Sequence, residues 1–294
     1  MIDAHQHVWL IGRHGQQWPG PDFPTLHRDR TLDDFRAVAG PLGVTGSVLV
    51  QSQPDDADTD FLLDLADSDP FVLGVVGWVD VEASDAPDRI AALARRRLVG
   101  LRPMLQDLPP RWILEARADA AVEAMIAHDL VFDALIRPQH LKPLAEFADR
   151  WPALRIVIDH GAKPAVGGDL TAWRDDLAAL ADRPNVACKL SGLWTEAAPG
   201  APVETCRPAA ETILDLFGAD RVLWGGDWPV LDLAGGYADW LSLCRSVVPA
   251  ADHAAVFGDA ARRIYGTRQF AVDTGSHDPH CLEKSFTSES VRLG

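Results

Sequence analysis

Short runs of β-branched and aliphatic residues recur along the chain, and between them lie longer stretches whose apolar positions repeat at helical spacing. The strand pattern falls at 2–7, 44–51, 71–79, 98–104, 130–136, 154–160, 185–190 and 221–226. Helical stretches fall at 31–39, 58–67, 86–97, 118–128, 138–150, 169–182, 204–217 and 236–247, several opened by Thr, Asp or Pro as start signals. Eight alternating units in 294 residues predict an α/β fold, a single TIM-like (β/α)8 barrel over residues 1–266. An open doubly wound sheet would carry a Gly-rich phosphate fingerprint after its first strand, and none follows residue 7. Residues 252–266 read as one more helix closing over the barrel, and the polar, aperiodic stretch 267–294 as a flexible tail.

Three of the strand runs end on acid/base chemistry. Ile2-Asp3-Ala4-His5-Gln6-His7 places two imidazoles at i and i+2, on one face of a strand and aimed at one point. Ile156-Val157-Ile158-Asp159 delivers His160, with Gly161 behind it allowing close backbone approach. Val222-Leu223-Trp224-Gly225-Gly226 delivers Asp227 ahead of Trp228-Pro229. In this architecture the C-terminal ends of the strands build the active site, so polar residues there read as chemical. Gln51, Gln53, Trp78, Asp80, Arg102, Gln106, Arg137, Lys189 and Ser191 occupy comparable positions. A solvated loop residue is the plain alternative for each of these, a helix N-cap for Asp227, and a structural histidine for His160.

Charge narrows the partners. With 43 acidic and 27 basic residues the net charge is −16, which repels phosphate backbones and anionic membrane surfaces and excludes a nucleic-acid or membrane role. No run approaches the roughly 18 apolar residues of a membrane span. Cys188, Cys206, Cys244 and Cys281 show no CxxC spacing and no secretory leader is evident, so a reduced, cytoplasmic setting is expected. Ten tryptophans are a rich supply, and Trp9, Trp78, Trp194 and Trp228 fall at or beyond strand ends, where indole faces can cover a sugar ring; core packing is their other role.

Taken in order, Asp3-Ala4-His5-Gln6-His7-Val8-Trp9, Val76-Gly77-Trp78-Val79-Asp80, Gly100-Leu101-Arg102-Pro103-Met104-Leu105-Gln106-Asp107, Asp159-His160-Gly161-Ala162-Lys163-Pro164, Cys188-Lys189-Leu190-Ser191-Gly192-Leu193 and Gly225-Gly226-Asp227-Trp228-Pro229-Val230 resemble the amidohydrolase superfamily. The likeness is to its amidohydrolase-2 branch of sugar lactone hydrolases, the L-fuconolactonase and L-rhamnonolactonase type, and it runs from residue 2 to about 266. It implies a (β/α)8 barrel, hydrolysis of a cyclic ester, and active-site roles for His5, His7, His160 and Asp227. Two positions depart from the family pattern: Gly226 where Ser is frequent, and Pro103 where a His often follows the strand-four Arg.

The same resemblance bears on metal. Two-metal members use a strand-four lysine and a strand-five histidine, whereas this chain offers Arg102 and Leu135-Ile136-Arg137, with His140 inside the next helix. A binuclear centre is therefore excluded, leaving one divalent ion, zinc by preference, on His5, His7 and Asp227, or no cofactor at all. Asp227 is the expected base for water. His160, His5 and His7 would support the oxyanion and leaving group, Arg102 and Lys189 would bind or orient substrate, Trp78 and Trp228 would cover the ring, and Gln51, Gln53, Asp80 and Gln106 would take hydroxyls. No GxSxG nucleophile occurs, so water attacks directly. The expected partner is a small sugar lactone. Against it stand a pyrone dicarboxylate lactone, a metal-dependent decarboxylase of the superfamily, and a carbohydrate-binding barrel without chemistry.

Overall fold

Strands β1 (Ile2–Gln6), β2 (Gly46–Val50), β3 (Val72–Gly77), β4 (Leu98–Leu101), β5 (Val131–Ala134), β6 (Arg155–Ile158), β7 (Val186–Leu190) and β8 (Val222–Trp224) lie in chain order, each parallel to the next. The computed structural model describes residues 1–266, and the expected tail 267–294 lies outside them. The sheet closes at its C-terminal edge, where Asp227 N–H donates to His5 O and His7 N–H to Trp228 O, both at 2.8 Å. This is the (β/α)8 barrel that the alternation predicts.

Helices return the chain between strands, and their ends follow the expected signals. Thr31 caps Leu32–Ala39 in a reciprocal capping box with Asp34, Asp55 caps Asp56–Ser68, and prolines sit in the first turns of Ala86–Leu93 and Arg207–Phe217. Their apolar faces bury the outward-facing strand residues, among them Leu49, Val75, Phe132, Ile156 and Trp224, against Phe35, Leu62, Phe147 and Trp240.

Every strand also contributes to a second, inner cluster of Ile2, Ala4, Val48, Val50, Val76, Val99, Val131, Val157, Ala187 and Leu223. The terminal stretch adds Ala260, Ala261 and Tyr265 to it. That stretch, a π turn Ala255–Asp259 continuing into the helix Ala260–Ile264, thus closes the barrel at the starts of the strands, the end away from His7 and Asp227. Most strands stop pairing before the expected ends, so His7, Gln51, Trp78, Arg102 and His160 already lie in the loops that form the mouth.

Candidate active site

Alternation carries the inner face from apolar to charged within one step. Val131 is followed inward by Asp133, Val157 by Asp159 and Ala187 by Lys189, all fully buried. In β1 the pairing register shifts between Asp3 and Gln6, which turns His5 and then His7 inward after Ala4. Asp3 holds that irregularity: its carboxylate accepts from His5 N–H at 2.9 Å, Gly226 N–H at 3.0 Å and the Tyr237 hydroxyl at 2.6 Å. Burial pushes the Asp3 carboxyl up to about 6, against these bonds. A Cβ at position 226 would stand 2.2 Å from the Tyr237 ring, which explains the glycine there.

The four sequence-predicted residues at the strand ends converge. His5 Nε2 and His7 Nε2 are 3.2 Å apart, and Asp227 Oδ1 lies 3.6 Å from the first and 3.3 Å from the second. His160 Nε2 is 3.9 Å from the same oxygen, and its Nδ1 is 2.9 Å from Ser191 Oγ. His7 Nδ1 meets Val50 O at 2.8 Å, so that nitrogen carries the proton and Nε2 presents a lone pair to the cluster. Both His160 and Asp227 adopt left-handed backbone, φ 54° and 53°, strain of the kind held at functional sites. Gly192 is required beside them, since a Cβ there would lie 2.3 Å from His160 Nδ1.

Beneath the histidines sits a buried charged layer. Lys189 Nζ lies 2.5 Å from Asp133 Oδ2, 2.9 Å from Asp159 Oδ1 and 3.1 Å from His5 Nδ1. Arg102 Nη1 lies 3.3 Å from Asp159 Oδ2 and 3.4 Å from His5 Nε2, while its other terminal nitrogen donates to Gln51 O. Burial would raise Asp227, but the histidines around it, His160 foremost, hold it far below the usual carboxylate range. Burial brings His160 down to about 4 despite Asp227 and Asp159, and burial with the Lys189 charge takes His5 well below its ordinary value. Asp159 resists burial through Lys189, His5 and Arg102 and stays well below the carboxylate range, whereas burial outweighs Lys189 at Asp133 and pushes it up to about 6. Near neutrality the centre thus pairs an anionic Asp227 with neutral His5 and His160.

A cavity of about 500 Å³ opens above this layer. His7, Arg102, His160 and Asp227 form part of its lining, together with the strand-end residues Gln53 and Gln106. Gln106 Oε1 is buried with no hydrogen-bond partner among the described residues. Lys189 and Gln51 are absent from the lining: Lys189 is sealed under His5, and Gln51 donates to Arg102 O at 2.9 Å. Gln53 is spent on structure, accepting from the backbone N–H groups of Gln17 and Trp18 at 3.0 and 3.1 Å.

The tryptophans divide differently from expectation. Trp228 is core, 5.6 Å from the Phe35 ring and covered by Arg30. Trp9 and Trp194 are buried with their indole N–H groups on Arg28 O and Ala201 O. Trp78 is held by Thr59 Oγ1 through its own backbone and lies outside the cavity lining, as do Asp80 and Arg137. The indole that does line it is Trp18, in the long loop after β1, where no local pattern marks it. Met104, Leu135 and Val230 supply its apolar wall and Lys163, paired with Glu196 at 3.4 Å, a cation.

The donor geometry suits a divalent ion. Tetrahedral bonds of 2.0–2.1 Å imply ligand-to-ligand edges of about 3.3 Å, against 3.2, 3.3 and 3.6 Å among His5, His7 and Asp227. Asp159 Oδ1, 3.4 Å from His5 Nδ1, can accept the proton of the His5 tautomer that frees Nε2 for a metal. Neither a strand-four lysine nor a strand-five histidine is present, and His140 bonds to Leu108 O, away from the cluster.

A closed (β/α)8 barrel with a His-x-His pair on its first strand, a histidine after the sixth and an aspartate after the eighth defines a hydrolase-type barrel. The chain belongs to the amidohydrolase family, whose Amidohydro_2 model matches residues 2–267. It is 45% identical to an L-fucono-1,5-lactonase of Burkholderia ambifaria over 95% of this chain and 98% of that protein. Two crystal structures of an amidohydrolase from Burkholderia multivorans are also similar, each covering 90% of this chain and 98% of that one. The form with bound HEPES is 33% identical with a TM-score of 0.85, and the form with bound zinc 32% identical with a TM-score of 0.83.

Proposed function

We propose that the chain hydrolyses the 1,5-lactone of a six-carbon sugar acid, of the L-fucono-1,5-lactone type, to the open-chain acid. The observation that carries this reading is an anionic Asp227 set among three imidazoles and facing a 500 Å³ cavity that Arg102 also lines. Similarity to the Burkholderia ambifaria lactonase supports the substrate class.

Water placed against Asp227 gives up a proton to the carboxylate as its oxygen bonds to the lactone carbonyl carbon. Arg102 and the Nε2 of His160 face the charge that develops on the carbonyl oxygen. Collapse of the tetrahedral species breaks the bond to the ring oxygen, which takes the proton back from Asp227 and leaves as a hydroxyl. His5, His7 and Asp227 would hold one divalent ion, zinc by preference, which when bound would supply Lewis-acid charge at the carbonyl.

Trp18 would cover the apolar face of the ring and Gln106 Oε1 would accept from a ring hydroxyl. Met104, Leu135 and Val230 suit the terminal methyl of a deoxy sugar. A pyrone dicarboxylate is poorly served, because the two cations lining the cavity, Arg102 and Lys163, are already paired with Asp159 and Glu196. Three unbridged, buried cysteines, Cys188, Cys206 and Cys244, support a reducing, cytoplasmic setting.

The test is acid release from a panel of five- and six-membered aldonolactones, a pyrone dicarboxylate and an aromatic carboxylic acid, with and without chelator. Turnover of a six-membered aldonolactone is expected. Turnover of the aromatic acid alone would contradict the reading, and the chelator arm reports whether the ion is needed.

A further inference from the structure

The tyrosine that caps the terminal helix Ala260–Ile264 reaches the charged layer from below. Tyr265 is buried, and its hydroxyl donates to Asp133 Oδ2 at 2.7 Å, the same oxygen that Lys189 Nζ meets at 2.5 Å. Lys189 also lies 5.5 Å from the centre of the Tyr265 ring, within cation–π range. An ammonium has three donors and no acceptor, and Nζ faces three acceptors, Asp133 Oδ2, Asp159 Oδ1 and His5 Nδ1. Without an ion, His5 Nδ1 therefore accepts from it and the ring proton sits on Nε2, toward His7 and Asp227; an ion on Nε2 would require that proton on Nδ1, toward Asp159 Oδ1.

The other oxygen of Asp133, Oδ1, is buried with no hydrogen-bond partner among the described residues. Among the described residues the Tyr265 hydroxyl is thus one of two donors on this carboxylate, Lys189 being the other. Without the hydroxyl, the whole Asp133 charge would draw on Lys189 and pull it down, away from His5. We infer that Tyr265 is a positioning residue for the reaction: from beneath the barrel its hydroxyl shares Asp133 with Lys189, and so keeps Lys189 seated on His5 above. Neither Tyr265 nor Asp133 lines the substrate cavity, so the action passes through Lys189.

Because this role is defined for lactone turnover as proposed above, the experiment carries its own control. Tyr265→Phe keeps the ring and removes the hydroxyl. On L-fucono-1,5-lactone its kcat should fall at least fivefold with KM within twofold, at a melting temperature near that of the parent. Ile264→Ala, which only loosens the same helix, should lower the melting temperature and leave kcat within twofold.

Asp133→Asn should reduce kcat similarly, and adding Tyr265→Phe to it should change kcat by less than twofold more. A folded Tyr265→Phe protein with kcat within twofold of the parent overturns the role, and so do effects of the two substitutions that multiply. If Tyr265→Phe does not fold, unchanged kcat in a folded Asp133→Asn protein overturns it equally, since the hydroxyl acts through that carboxylate alone. A parent that turns over no lactone contradicts the proposed function instead. The role is then read from the 15N resonances of the His5 ring, which should shift when the hydroxyl is removed; unshifted resonances overturn it.

Discussion

The barrel interior has two levels that differ by a single inward step along the strands. The lower level is wholly apolar in its strand residues, from Ile2 and Val48 round to Ala187 and Leu223, and is stoppered by Ala260, Ala261 and the Tyr265 ring. The upper level holds His5, Arg102, Asp133, Asp159, Lys189 and Asp227, each no more than 3% exposed. One level gains stability by leaving water; the other gives it up, because charges stripped of water persist only when closely paired. The contrast teaches that this chain concentrates its chemistry at one height and surrounds it with packing that keeps it fixed. Substitutions at the two levels should therefore separate rate from stability.

The largest effect is expected at Asp227. Asp227→Asn removes the proton acceptor at constant size, and kcat should fall on the order of 10²–10⁴ with the melting temperature little changed. Lactone hydrolysis and thermal melting on one preparation measure both. Lys189→Met is the exception at this level, expected to lower stability as well as kcat. It strands Asp133 and Asp159 without their shared cation, a loss of about 3–5 kcal/mol that chemical denaturation would register. An unchanged denaturation midpoint would mean that the buried carboxylates do not depend on the lysine.

Leu223→Ala at the lower level should cost about 2–5 kcal/mol through the cavity it opens, while kcat of the folded protein stays near the parent value. A large loss of kcat with intact stability there would erase the distinction between the levels. A smaller effect is expected at the mouth. Trp18→Ala should raise KM by about tenfold, roughly 1.4 kcal/mol of uniform binding, with kcat largely kept. If kcat falls instead and KM does not, Trp18 belongs to the chemistry and not to ring binding.

The smallest effect is the pH response. With Asp227 held below the carboxylate range and His160 at about 4, kcat/KM of the Asp133→Asn protein, whose position 133 no longer titrates near 6, should stay flat from neutrality to about pH 5 and decline only as His160 takes a proton near 4. An acid limb near 6.5, the ordinary histidine value, would show the imidazoles to be solvated. Stability carries the same sign at His160. The unfolded chain binds that proton near 6.5 and the folded one near 4, so this contribution is lost as pH falls between those values. Asp133, raised to about 6, acts oppositely, its contribution lost as pH rises from 3.8 to 6.

The sequence exposed the upper level only in part, for physical reasons. The eight strands were legible because residues buried on both faces leave continuous apolar runs, and His5, His7, His160 and Asp227 because they interrupt such runs at their ends. A strand-end rule makes Lys189 a substrate contact, but its inward phase with Ala187 buries it under His5, a consequence of alternation that the rule overlooks. Asp133 carries the same signal, a charge inside Leu130-Val131-Phe132-Asp133-Ala134-Leu135 in phase with Val131, which a strand-end rule passes over because it lies before the end of the run. Trp228 and Trp9 sit on the faces packed by helices and surrounding loops, so proximity to a strand end misled. Trp18 and Tyr265 reach the site or its underside by tertiary closure over long sequence distances, for which no local pattern exists.

The most direct test of the central claim is a crystal structure of the Asp227→Asn protein soaked with L-fucono-1,5-lactone, since that substitution should spare the bound ring. The lactone should lie in the cavity under Trp18, with its carbonyl carbon about 3–3.5 Å from a water held at position 227 and its carbonyl oxygen toward Arg102 and His160. A lactone bound there with its carbonyl turned away from position 227, or seated outside this cavity altogether, would contradict the account.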